Sequence, residues 1–128
     1  MQPHERLKVW ALSHRLYILV HRATATWPKS ERYELTSQVR RAAFSVPANI
    51  AEGASRFGPR EFRHFLDQAR GSLAEVSYGI MAARDLGYLS ATDWAELDAL
   101  RDETSRVLWG LLNVISKRAR KPSESLSV

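Results

Sequence analysis

Cysteine is absent from this chain of 128 residues. That excludes disulfides, thiol nucleophiles and cysteine-ligated zinc, and it leaves the compartment open because cytosolic proteins also lack cysteine. Glycine and proline number only six and five. They are too scattered for a glycine-rich phosphate loop or a Gly-x-Ser-x-Gly nucleophile elbow. No stretch approaches the roughly 20 apolar residues a membrane span needs. The opening Met1-Gln2-Pro3-His4-Glu5-Arg6 is polar, with no apolar run of the signal-peptide kind after it. The expectation is one cytoplasmic domain with no membrane partner, long enough to bury a core without disulfides or metal.

What the sequence does contain is helical period. Phe62, Leu66, Ala69, Leu73, Val76, Ile80 and Ala83 recur every three or four residues, a heptad seam. Gly58 and Pro59 suit the start of that helix, and Gly87-Tyr88 closes it. A second seam runs through Trp94, Leu97, Arg101, Thr104, Leu108, Leu111 and Ile115, opened by Ser90 and Asp93 as a capping pair and ending near Arg118. Leu35, Val39, Ala42, Val46, Ile50 and Gly53 form a stripe on a helix over 35–55, where Pro47 predicts a kink. The first helix, over 7–25, has two stripes. One is Val9, Leu12, Leu16, Leu19 and Ala23; the other is Leu7, Trp10, His14, Tyr17, His21 and Thr24. With no persistent strand-type alternation, these segments predict an all-α, up-down-up-down antiparallel four-helix bundle over 1–119 and a disordered basic, Ser-rich tail over 120–128. The second stripe of the first helix, with Phe44 on the outer side of the second, exceeds what one core needs and predicts a homo-oligomer.

The net charge of +5 is uneven. Residues 1–70 carry +6, residues 85–103 carry −5, and 117–121 add +4. In the predicted topology one pole collects Arg6, Lys8, Arg56, Arg60, Arg63, Lys117, Arg118, Arg120 and Lys121 against Glu5, Glu52 and Glu61, a balance of +6 per chain. Such a field attracts a polyanion. Arg56, Arg60, Arg63, Lys117, Arg118, Arg120 and Lys121 are therefore the candidate nucleic-acid-binding residues. The competing reading is a set of solvated helix faces on which the arginines pair locally with Glu52 and Glu61.

Other polar groupings read as structural. Glu61-x-x-His64 has the spacing of one half of a di-iron ligand set. The set needs two such motifs and two further glutamates, and this pair points away from the seam. His14 and His21 are seven apart, whereas single-helix chelation favours i, i+4. No metal, cofactor or catalytic residue is expected. Gln38, Arg40, Arg41, Ser45, Asn49 and Glu52, with Ser72 and Glu75 on the next helix, form a polar cluster around the Pro47 break. A tight turn near Phe57 predicts Ala42 and Ala43 opposite Gly71 and Ser72, a close approach of small residues, and Arg40 or Arg41 within ion-pair reach of Glu75, in the same chain or across a subunit contact.

Six segments also carry a resemblance: Leu7–Trp10, Leu35–Ala43, Ser45-Val-Pro-Ala-Asn-Ile-Ala-Glu-Gly53, Glu61-Phe62 with Phe65-Leu66, Gly71–Glu75 and Leu86–Leu89. They resemble the bacterial four-helix-bundle proteins encoded in intervening sequences of 23S ribosomal RNA genes, and the related accessory variability proteins of diversity-generating retroelements. The likeness spans about residues 5 to 116. It implies a homopentameric barrel of bundles and contact with nucleic acid, because the retroelement relatives bind nucleic acid and a reverse transcriptase. It supplies no catalytic residues. This chain has His21 where a tyrosine is usual, and its basic tail lies outside the likeness. The expected function is a non-enzymatic oligomer that contacts structured RNA or a ribonucleoprotein through a basic pole. The alternative is a protein-interaction scaffold with no nucleic-acid role.

Overall fold

Local signals set the helix boundaries. In the computed structural model, which describes residues 1–121, α1 spans Lys8–Thr24, α2 Leu35–Ala54, α3 Pro59–Asp85 and α4 Ala91–Arg120. Two short 3-10 turns, Pro3–Arg6 and Lys29–Glu31, precede α1 and α2. No strand occurs among the described residues. Gly58 enters α3 at φ +87° and Gly87 leaves it at φ +82°, the left-handed region that costs glycine nothing. Beyond Gly87 the chain turns back on the helix: Tyr88 N donates to Ala83 O at 2.8 Å and Gly87 N to Arg84 O at 3.0 Å. That is the Schellman closure, and it satisfies carbonyls the helix end leaves unpaired. The Ser90 hydroxyl accepts from Asp93 N at 3.0 Å, capping α4. The tail beyond Lys121 lies outside the described residues.

Four helices form a bundle in which each packs on two others: α1 on α2 and α4, and α3 on α2 and α4. The predicted α3 seam is buried from Leu66 to Ala83. On α2, Val39, Ala42, Val46, Ile50 and Gly53 face the core as expected, joined by Ala43 and Pro47. Two stripes shift. On α4 the core takes Leu97, Leu100, Thr104, Leu108, Leu112 and Ile115, so Leu112 displaces Leu111 and Arg101 sits at the margin. Thr104 is fully buried because its hydroxyl donates to Leu100 O at 2.7 Å, returning the polar group to the helix backbone. On α1, Val20 replaces Leu19 and Ala23. Both shifts follow from the 3.6-residue period, which drifts from a strict heptad over several turns. α2 is unbroken through Pro47, since a proline inside a helix removes one hydrogen bond while neighbouring turns hold the rest.

The α2–α3 register differs from the expected one by about two residues. Val39 packs on Gly79, Ser45 bonds Ser72, and Gly53 lies against Phe62 and Phe65, so numbers rise on one helix as they fall on the other. A Cβ at Gly53 would come within 2.8 Å of Phe65 Cβ, and one at Gly79 within 2.4 Å of Val39 Cγ2. These two glycines are the close approaches. Gly71 has no neighbour within 4 Å of a would-be Cβ, which corrects its predicted role. Two aromatic rings seat on Gly53, where the end of α2 meets the start of α3.

Candidate nucleic-acid interface

α3 and α4 enclose a groove of about 850 Å³. Arg60, Arg63 and Arg70 line it from α3, and Arg120 from α4. The helical period explains why: residues 60, 63, 67 and 70 lie three or four apart and share one face of α3. Asp67 is the one acid in the lining. What the arginines bond to matters more than their number. Arg63 Nε donates to Ser116 Oγ at 3.0 Å, Arg60 Nε to Ala119 O at 3.4 Å and Arg120 Nε to Ser116 O at 3.4 Å. These acceptors are neutral. They orient the guanidinium groups along the α4 end without cancelling their charge. By contrast, Arg56 is paired with Glu52, Arg70 with Asp67, Arg84 with Asp85 and Arg101 with Asp98.

Three of the seven candidate basic residues, Arg60, Arg63 and Arg120, are therefore brought together. Arg56 stands apart: its guanidinium lies over the Phe65 ring, 5.2 Å from the centroid, and is tied to Glu52 as the local-pairing alternative expects. Glu61 takes no salt-bridge partner among the described residues, so that alternative holds for one acid and not for the other. Lys117, Arg118 and Lys121 are exposed and do not line the groove. Sequence reasoning missed Arg70 and Trp109, which complete the lining. The signal for Arg70 was its position ten residues beyond Arg60 on the same helix face; Trp109 needed the α3–α4 register.

The polar cluster around α2 separates into parts. Arg40 turns to α1, where Nε donates to Thr24 Oγ1 at 2.6 Å and Nη2 to His21 O at 3.3 Å. Asn49 Nδ2 donates to Ser45 O at 2.8 Å and to Ser45 Oγ at 2.9 Å, and Ser45 Oγ bonds Ser72 Oγ at 2.8 Å. This network attaches at Ser45, not at the Ala43 carbonyl that Pro47 frees. Gln38 and Glu75 line a separate α2–α3 groove beside Tyr78. The predicted ion pair from Arg40 or Arg41 to Glu75 does not form within the chain among the described residues; Arg40 is engaged by α1 instead. Arg41 and Glu75 are exposed. No group of three or more potential metal ligands occurs among the described residues, and His64 bonds Gln68 at 3.3 Å. His14 stacks on Trp10, 5.1 Å between centroids, and Tyr17 meets both His21 and Phe44 edge-on. Of the second stripe of α1, Thr24 is buried, Leu7, Trp10 and Tyr17 pack partly against the core, and only His14 and His21 are exposed, with Phe44 beside Tyr17 57% exposed.

The sequence pattern of the family described as 23S rRNA-intervening sequence protein matches residues 5–110. The chain belongs to this family. No curated protein matches it. In this 23S rRNA-intervening sequence protein, the long Ser45–Gly53 motif has a physical account. Ser45 and Asn49 tie α2 to Ser72, Pro47 and Ile50 are buried, and Gly53 admits the rings of α3. The motif builds the α2–α3 contact; the arginine groove lies on the other side of α3, against α4. No helix among the described residues is long and apolar enough to cross a membrane.

Proposed function

We propose that this family member is a non-enzymatic, oligomeric nucleic-acid-binding protein of the cytoplasm, an up-down-up-down bundle that contacts structured RNA or a ribonucleoprotein. The observation that carries this reading is the α3–α4 groove, where Arg60, Arg63 and Arg120 are held by neutral acceptors and meet no acid among the described residues. Phosphate oxygens are the natural partners of such a fork-shaped donor set. The family's description, which refers to 23S rRNA, supports an RNA target over an acidic protein. The opposed residue order across α2 and α3 supports the up-down topology. Phe44, 57% exposed beside the half-buried Tyr17, supports self-association, and the number five comes from the family resemblance. Copies in a ring would repeat the groove and sum its field.

The test is binding of a structured RNA by fluorescence anisotropy across a salt series. Affinity should fall steeply with salt, through release of condensed counterions. Replacing Arg60, Arg63 and Arg120 together with Ala should weaken binding and flatten the log–log slope by about 3, roughly one unit per lost phosphate contact. Arg41→Ala should leave the slope unchanged. Salt-independent binding, or an unchanged slope in the triple variant with the oligomer intact, would favour the protein-scaffold reading.

A further inference from the structure

Trp109 is 47% exposed and lies on the wall shared by two cavities. One is the arginine groove. The other, of about 300 Å³, is lined by Leu73, Ala74, Ser77 and Ser105 and also borders Arg70 and Arg101. Arg70 stands over the Trp109 ring, 5.5 Å from its centroid, and is tethered to Asp67 at 2.9 Å. An aromatic face open to both cavities, beside arginines that take no acidic partner among the described residues, joins a stacking surface to a phosphate-binding one. We propose that Trp109 is a stacking platform for an unpaired base, with Arg60, Arg63 and Arg120 on the adjoining phosphates. The interface is thereby specific for single-stranded segments of RNA, such as loops and bulges. This deepens the nucleic-acid reading above and rests on it.

The chemistry on each side of Trp109 differs in the way a strand requires. The arginine side offers cations for a backbone. The smaller cavity offers an apolar floor and two hydroxyl groups, which suit the face and edge of a base splayed out of the helix stack. Stacking on an aromatic ring tolerates any base, because each has a π-face. Arg70 extends the platform, since a guanidinium plane also stacks on bases. A paired duplex hides its base faces and would meet the arginines alone. Arg101, already engaged by Asp98 at 2.9 Å, ends the positive track on the far side of the smaller cavity.

The experiment compares an unstructured oligouridine with a fully paired RNA duplex of the same length, using full-length protein and its Trp109→Ala and Trp109→Phe variants. The oligouridine should bind more tightly than the duplex. Trp109→Ala should weaken oligouridine binding by about 5- to 150-fold, the range for loss of one stacked base, and change duplex binding by less than about twofold. Trp109→Phe should recover most of the loss, because a phenyl ring still stacks. Equal affinity for both RNAs, or an unchanged affinity of Trp109→Ala for oligouridine, would overturn the platform while leaving the arginine interface standing. Absence of binding to either RNA, or equal binding of polyglutamate, would overturn the nucleic-acid reading and the platform with it.

Discussion

One methyl group should have opposite effects at two glycines of α3. A Cβ at Gly79 would lie 2.4 Å from Val39 Cγ2, where carbon atoms in contact sit about 3.5–4.0 Å apart. The two helices would have to separate by about 1 Å, since Val39 is 2% exposed and a valine in a helix holds one χ1 rotamer. Overpacking of this kind costs about 1–3 kcal/mol, partly offset by the roughly 1 kcal/mol by which alanine outranks glycine in a helix. Gly79→Ala should therefore destabilise the bundle by up to about 2 kcal/mol, lowering Tm by up to about 7 °C. At Gly71 nothing lies within 4 Å, so Gly71→Ala keeps only the propensity gain and should stabilise by about 0.5–1 kcal/mol. Denaturant melts at one fixed protein concentration read both changes. In a Val39→Ala background the Gly79→Ala change should become neutral or stabilising, a coupling visible in a double-mutant cycle. If Gly79→Ala and Gly71→Ala shift the midpoint in the same direction, the close approach of α2 and α3 at Gly79 is wrong.

Two further outcomes follow from single side chains. Arg40→Ala removes the bonds to Thr24 Oγ1 and His21 O at the α1 C-terminus and should cost about 1–3 kcal/mol as a charge-assisted pair of bonds lost, whereas Arg41→Ala should stay within about 0.5 kcal/mol; the same melts decide it. Tyr88 donates its hydroxyl to Glu31 Oε2 at 2.8 Å, and that hydrogen bond, with partial burial and the carboxylate charge, raises its pKa above the usual 10.0. A group whose folded pKa is raised stabilises fully below its unfolded pKa and loses that contribution as pH climbs through the folded value. Tyrosinate absorbance should show one tyrosine ionising later than an ordinary one, and Tyr88→Phe should remove that late step together with the alkaline part of the stability loss.

The sequence by itself determined the local half of this protein. Gly58-Pro59, Gly87 and Ser90 act within a few residues of themselves, so the boundaries of α3 and the start of α4 were legible from the chain. The α3 seam was legible for the same reason, and the Ser45–Gly53 motif pointed to the family that residues 5–110 match. Tertiary structure decided everything that depends on which residue meets which across a helix pair. Phe62 and Phe65 seat on Gly53 where α2 meets α3, and Thr24 with the His21 carbonyl draws Arg40 to α1 rather than to Glu75. The α3–α4 pairing brought Arg60 and Arg63 to the neutral acceptors Ala119 O and Ser116 Oγ, while helix neighbours placed Glu52 beside Arg56 and Asp67 beside Arg70. A count of charges along the chain weighs all of these arginines alike. Only their partners in space separate those with no acidic partner among the described residues from those already paired, because Coulomb attraction falls with distance and knows nothing of sequence order.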